Sequence, residues 1–225
     1  MYKKLLSFYK NYSKKGNTRY KSWEHCYVFF DRNKNINVAI EMYSLHLFAY
    51  LASWGMLRGS SFLLQRDYLF HNDIVEEILK EKYDSLRGIS IIDMSDSNMD
   101  LIMELKKSIS RIYSEKINKG KDKKESMINP TDTLISKILL GTLGCTPAYD
   151  RYFIAGMKKF GLPNRRLTKA SLKTLKEFYK KNFKAFEEVQ KEINSQSSVK
   201  YPTMKIIDMF FWLKGYEGQT QRDLL

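Results

Sequence analysis

An all-α fold is what this chain predicts, and three observations lead there. Proline (4) and glycine (11) are scarce among 225 residues, which disfavours a turn-rich β fold or an unfolded chain. Apolar residues, 43% of the chain, recur at spacings of three and four over most of its length. Only Ile89-Ser-Ile-Ile-Asp93 has strand character, and it is too short to found a sheet.

Taken in order, residues 2–12 read as a short amphipathic helix with Leu5, Leu6, Phe8, Tyr9 and Tyr12 inward, broken by Ser13-Lys-Lys-Gly-Asn17. From Tyr20 to Phe30 a second helix places Tyr20, Trp23, Tyr27 and Phe30 on one side. Core packing explains such a face; a base-stacking platform is its functional alternative. After the polar link Asn33–Asn37, residues 38–57 are apolar nearly all round, so this helix is expected at the buried centre. Its His46 reads as a hydrogen-bonded core histidine. Gly59 suits a C-cap. Asn72 or Asp73 caps a helix reaching about Leu86, with an acidic exposed face. Ser95–Asn98 caps a helix from Met99 to Ile117 that turns Leu101, Ile102, Leu105, Ile109, Ile112 and Tyr113 inward.

The charged stretch 118–126 divides one unit, 1–225, into expected lobes 1–117 and 127–215. Thr133 to Phe153 reads as an apolar helix, a tight turn and a second helix starting at Pro147. Thr168 caps a long basic helix through about Ile193, with Leu172, Leu175, Phe178, Tyr179, Phe183, Phe186 and Val189 inside. Pro202 opens a last apolar helix, and the polar tail after Gly215 is expected to fray. There is no internal repeat.

Net charge is +14, which points to a polyanionic partner. The charge is unevenly spread: residues 158–184 hold ten basic groups and one acid, whereas residues 67–104 hold ten acids and three bases. Lysine-rich composition alone can produce such solvated faces. Cys26 and Cys145 form no CxxC pair and suit a reducing compartment. His25, His46 and His71 are too scattered for a metal site, and no metal or other cofactor is expected. The N-terminus lacks the apolar core of a signal peptide, and no apolar run is long enough to span a bilayer. The expectation is a cytoplasmic protein away from membranes.

No phosphate-binding glycine loop, HExxH, GxSxG or kinase set is present, which sets aside the common motif-bearing NTPases, zinc proteases, hydrolases and kinases. The candidate catalytic residue is Asp150. With Thr146 as cap and Pro147 at the first helical position, it falls in the first turn, where a carboxylate favours the positive helix end. An acid so placed can also stabilise positive charge on a sugar carbon or orient a water, as N-glycosidic cleavage requires. Arg165, Arg166, Lys169, Lys173, Lys176 and Lys180 form the best basic face for phosphate contacts.

The run Leu-Ile-Ser-Lys-Ile-Leu-Leu-Gly-Thr-Leu-Gly-Cys-Thr-Pro-Ala-Tyr-Asp-Arg-Tyr-Phe (134–153), followed by Met157-Lys-Lys-Phe-Gly-Leu162, resembles the second half of the helix-hairpin-helix/Gly-Pro-Asp motif of DNA glycosylases. Met204-Lys-Ile-Ile-Asp-Met-Phe-Phe-Trp212 also looks like the closing helix of a bacterial branch likened to 8-oxoguanine glycosylases. The resemblance covers about 30 residues plus this helix. It implies an all-α, two-lobed DNA-binding fold in which Asp150 is the catalytic acid and Pro147 the preceding proline. Residues 127–133 lack the family's hairpin glycines. The position of the Schiff-base lysine, about 19 residues before the aspartate, is Thr131; Lys137 is the nearest lysine. Two cysteines exclude the four-cysteine iron–sulfur cluster of some members. The implied enzyme is therefore monofunctional, with a DNA base extruded into a cleft that Trp54 or Tyr152 could line.

A rival is Arg66-Asp-Tyr-Leu-Phe-His71, which resembles the R-x4-H signature of HEPN ribonucleases; there Arg66 would contact phosphate and His71 act as acid and base. A third reading is a non-catalytic helical binding or interaction module. DNA is favoured over RNA as the partner.

Overall fold

The computed structural model describes residues 2–15, 17–33, 38–119 and 128–220, and all of its regular structure is helical. Ten α-helices follow in order: α1 (Tyr2–Lys14), α2 (Lys21–Arg32), α3 (Ile40–Ser53), α4 (Asn72–Ile78), α5 (Asp96–Asn118), α6 (Asp132–Thr142), α7 (Arg151–Lys159), α8 (Lys169–Lys181), α9 (Phe183–Gln196) and α10 (Thr203–Thr220). Three short 3-10 turns, Phe62–Gln65, Tyr68–His71 and Glu81–Leu86, join α3, α4 and α5. No strand occurs among the described residues; Ile89–Asp93 is a turn, with Ile91 N–H donating to Thr203 Oγ1 (3.0 Å). No described helix is long and apolar enough to cross a membrane. The expected joining segment falls largely outside the described residues, at 120–126.

The buried centre is α6 with α10, where the sequence pattern had suggested 38–57. Every residue from Leu134 to Thr142 and from Thr203 to Leu213 is buried. Helix α3 instead leaves Met42 and Leu45 exposed, at 45% and 42%, and ends at Ser53. An apolar residue outside is common, so the all-round apolar pattern of α3 did not fix its depth. His46 on α3 is half-buried and stacks on Phe29 with 3.8 Å between ring centroids; it is not enclosed in the core. Buried side chains from Leu5 to Leu213 form one continuous cluster, drawing on residues both before 120 and after 127.

Local chemistry explains where helices stop. The helix expected to run to Leu86 ends at Ile78, because Lys80 is extended and Tyr83 folds back, buried, to donate its hydroxyl to Glu77 (3.0 Å). The long basic helix breaks at Asn182, whose side-chain amide donates to the Phe178 carbonyl (2.8 Å) and so competes with the backbone ladder. The last helix continues past Gly215 to Thr220.

Helices α7 and α10 approach unusually closely. A Cβ at Gly215 would lie 1.8 Å from the Tyr152 carbonyl oxygen, and one at Gly156 would lie 2.0 Å from that of Phe211. Only glycine allows backbones that near. This reciprocal contact sets the position of the α7 N-terminus against the aromatic side chains of α10.

Candidate functional site

The turn between α6 and α7 builds the candidate site. Helix α6 ends at Thr142 with Leu143 as its C-cap, and Gly144 follows with φ +63°, donating its N–H to the Leu139 carbonyl (2.9 Å). The turn is then pinned by buried polar bonds. Tyr149 N–H donates to Ser136 Oγ (2.8 Å), Thr133 Oγ1 donates to the Tyr149 carbonyl (2.8 Å), and Ala148 N–H donates to Asp208 Oδ1 (3.0 Å). Asp150 follows, so α7 starts at Arg151 and Asp150 is its N-cap, not a first-turn residue as the proline suggested. Its Oδ1 accepts from Tyr152 and Phe153 N–H, both at 3.0 Å. Its Oδ2 accepts from Lys137 Nζ at 3.0 Å.

Lys137 is 3% exposed and Asp150 14%. The pair lies 13 residues apart, one member inside α6 and the other at the head of α7. The lysine ammonium also sits 5.1 Å from the Trp54 ring centroid. Both border an open cleft of about 1230 Å³ between the end of α3, α6, α7 and α10. Three exposed arginines, Arg19, Arg58 and Arg151, stand on its rim, and Trp54, Tyr152 and Trp212 supply its aromatic surface. Arg19 lies 5.5 Å from the Trp54 centroid, and Arg151 lies 4.5 Å from that of Tyr152.

Trp54 and Trp212 also border a smaller, nearly filled pocket. Phe8, Tyr12 and Tyr20 line it, and at its base lies a second buried ion pair, Lys205 Nζ to Asp208 Oδ2 at 2.9 Å. The Trp54 indole N–H is buried there without a hydrogen-bond partner. Of the dense aromatic face foreseen on α2, Tyr20 reaches this pocket, while Trp23 and Phe30 are fully buried.

The expected basic face is divided. Lys169 pairs with Asp100 (2.8 Å) and Asp96 (3.8 Å), Lys173 with Asp96 (2.9 Å), and Lys180 with Glu177 (2.8 Å). Lys176 donates to the Met94 carbonyl (2.7 Å). Three of the four lysines therefore face the acidic N-terminal turn of α5; the Lys173 hydrogen bond is the main reason that the Asp96 carboxyl is held low. Arg165 and Arg166 line a neighbouring pocket with Thr131, Asp132 and Tyr149, which meets the cleft at Thr133.

The geometry counts against the Arg66/His71 reading. His71 is fully buried, and its Nδ1 lies 2.6 Å from the Tyr113 hydroxyl. Burial, with Lys116 nearby, pushes its pKa down to about 4. It meets no solvent, and Arg66 is turned over the Phe70 ring (5.2 Å). Neither cysteine suits nucleophilic attack: burial pushes the Cys145 thiol up to about 12 and raises that of Cys26 as well. Among the described residues no three His, Cys, Asp or Glu side chains gather as a metal site.

Sequence reasoning points to Asp150 and names Lys137 only as the lysine nearest the Schiff-base position, while it does not single out Arg19, Arg58 or the Lys205–Asp208 pair. Lys137 and Asp208 had a usable signal: a charge inside an otherwise apolar helix must find a partner when buried. No family model, curated protein or solved structure matches the chain.

Proposed function

We propose that the chain binds nucleic acid across the α3–α6–α7–α10 cleft and hydrolyses an N-glycosidic bond there. The observation that carries this reading is a partly exposed carboxylate, Asp150, at the head of a helix, inside a cleft with a cationic rim and aromatic walls. Arg19, Arg58 and Arg151 would hold backbone phosphates. Trp54, Tyr152 and Trp212 offer faces on which an extruded base can stack. As the C1′–N bond breaks, its electron pair leaves with the base, and Asp150 stabilises the positive sugar carbon. A water adds to C1′, and its proton ends on the departing base. Lys137 is a positioning residue that fixes Oδ2. With no lysine where a Schiff base is formed in the glycosylases this chain resembles, the reaction would stop at the abasic site.

A second reading is a non-catalytic nucleic-acid-binding module. It is favoured by the Asp150 hydrogen bonds, since both carboxylate oxygens are already engaged by Tyr152, Phe153 and Lys137. The deciding experiment incubates purified protein with duplexes carrying a panel of damaged and modified bases, then scores abasic sites. Abasic sites formed by the wild type and lost in Asp150→Asn support hydrolysis. Salt-dependent binding with no abasic sites supports the module, and no binding at low salt removes both readings.

A further inference from the structure

We propose that a second, separate pocket, between the end of α2, the turn at Arg87–Gly88 and the loop Ser198–Pro202, is a binding site for a phosphate group. The pocket has a volume of about 830 Å³ and shares no lining residue with the α7 cleft. Its distinguishing group is Arg87, whose side chain is only 11% exposed. The guanidinium is incompletely bonded. Nε reaches Asp84 and one terminal nitrogen reaches the Phe30 carbonyl, each at 3.4 Å, the long end of hydrogen bonding. The other terminal nitrogen is buried with no partner. A buried guanidinium N–H left unmet is costly, and native structures rarely tolerate one without a ligand or water to accept it.

The surroundings select the ligand. Arg32 and Lys200 stand exposed on the rim, so the lining carries three cations with Arg87 against the single carboxylate of Asp31. The Tyr27 phenol joins them; burial pushes it up to about 12, so it keeps its proton and can donate. Donors converging from α2, the Arg87 turn and the Ser198–Pro202 loop suit a tetrahedral group with several oxygens, and the arginine fork matches two of them at once. The pocket wall is fixed in advance. Gly88, at φ +58°, donates its N–H to the Leu143 carbonyl (2.8 Å), and a Cβ there would come within 3.0 Å of the Tyr27 hydroxyl. The phosphate could belong to a small phosphorylated molecule or to a nucleic-acid backbone; both present the same oxygens.

The test uses the full chain. Isothermal titration and thermal melting are run with inorganic phosphate against sodium chloride of equal ionic strength. The melting temperature should rise with phosphate and not with chloride. Arg87→Lys keeps the charge and removes the fork, and should weaken phosphate binding at least about tenfold. The double variant Arg32→Ala/Lys200→Ala changes only exposed rim residues, and should weaken it at least about fivefold with an unchanged circular dichroism spectrum. That variant decides the matter if Arg87→Lys fails to fold. Two further arms separate the sources. Competition by a nucleoside monophosphate but not by an oligonucleotide assigns a small molecule. Oligonucleotide affinity that falls in the rim variant assigns a backbone phosphate. The proposal is overturned if phosphate does no more than chloride, or if the folded rim variant binds phosphate as the wild type does.

Discussion

Gly215→Ala should damage both stability and the cleft, and the size of the effect follows from the α7–α10 contact. The added Cβ would sit 1.8 Å from the Tyr152 carbonyl oxygen, with its carbonyl carbon at 2.6 Å. The obstacle is backbone, so no rotamer change relieves it. Restoring even a 3.0 Å separation requires the helices to part by about 1.2 Å. Yet α7 is held to α10 along its length: Phe153 packs on Phe211, Tyr152 on Trp212 and Tyr216, and Gly156 meets the Phe211 carbonyl. Overpacking of well-ordered interiors costs about 1–3 kcal/mol, and a clash with main chain belongs at the upper end. For a chain of this size, about 3 kcal/mol lowers the melting temperature by roughly 6–12 °C. The displacement also carries Asp150 away from Lys137, stretching a 3.0 Å contact towards 4 Å. If nucleic acid binds the cleft, its affinity should therefore fall along with stability. Urea unfolding followed by circular dichroism, read alongside oligonucleotide binding, measures both. A loss below about 1 kcal/mol with unchanged affinity would refute the argument that glycine is required at this crossing.

Breaking the Lys137–Asp150 pair on one side should be worse than removing it. Asp150→Asn leaves a 3%-exposed ammonium unbalanced and should cost about 3 kcal/mol in urea unfolding, whereas Asp150→Asn/Lys137→Met should recover at least about 1 kcal/mol of it. Equal losses in both would mean the pair is not coupled. For His71, the folded pKa lies near 4, below the ordinary 6.5, so the unfolded chain takes up a proton first as pH falls. Stability from this group is complete above about 6.5, declines by roughly 3 kcal/mol on the way to pH 4, and declines no further below that. His71→Gln should flatten that segment of a stability–pH profile; an unaltered slope would point to other groups. If nucleic acid binds the cleft, Arg58→Ala and Arg151→Ala should each lower the slope of log affinity against log salt by about 1, while Lys169→Ala and Lys173→Ala, already paired with Asp96 and Asp100, should leave it unchanged. The reverse pattern would move the interface to α8.

How much was legible in the sequence depended on whether a signal was local. The all-α class follows from spacing and from the scarcity of proline and glycine, and the caps at Ser95 and Thr168 follow from side chains that bond amides three residues on. Asp150 was visible as an acid at a helix start, although the cap falls on it, four residues after the Thr146 that the proline suggested. Depth was not legible. An apolar run such as 38–57 says that a helix has something to bury, not which neighbour covers which face, and here the neighbours leave Met42 and Leu45 outside. Charge partners were legible least. The lysines of α8 form an aligned basic stripe in sequence, but their partners Asp96 and Asp100 lie about 70 residues earlier, on α5.

The Lys137–Asp150 contact shows why a motif spacing can mislead about a site. Counting back 19 residues from the aspartate reaches Thr131, which the structure uses as the N-cap of α6, bonded to Leu134 N–H. A lysine there would sit at a helix start, one and a half turns or more from position 137 along the axis. The lysine that does meet Asp150 lies inside α6, where its stem packs among buried residues and its ammonium has two neighbours within reach: the carboxylate and the Trp54 ring. An amine engaged by a carboxylate and lying against an indole is poorly placed to attack a substrate carbon. The same geometry makes it an effective clamp on Oδ2. If the cleft is a hydrolytic site, Lys137 acts by fixing the acid, and borohydride should trap no covalent complex between this chain and any substrate. A trapped complex that disappears in Lys137→Met would overturn this assignment.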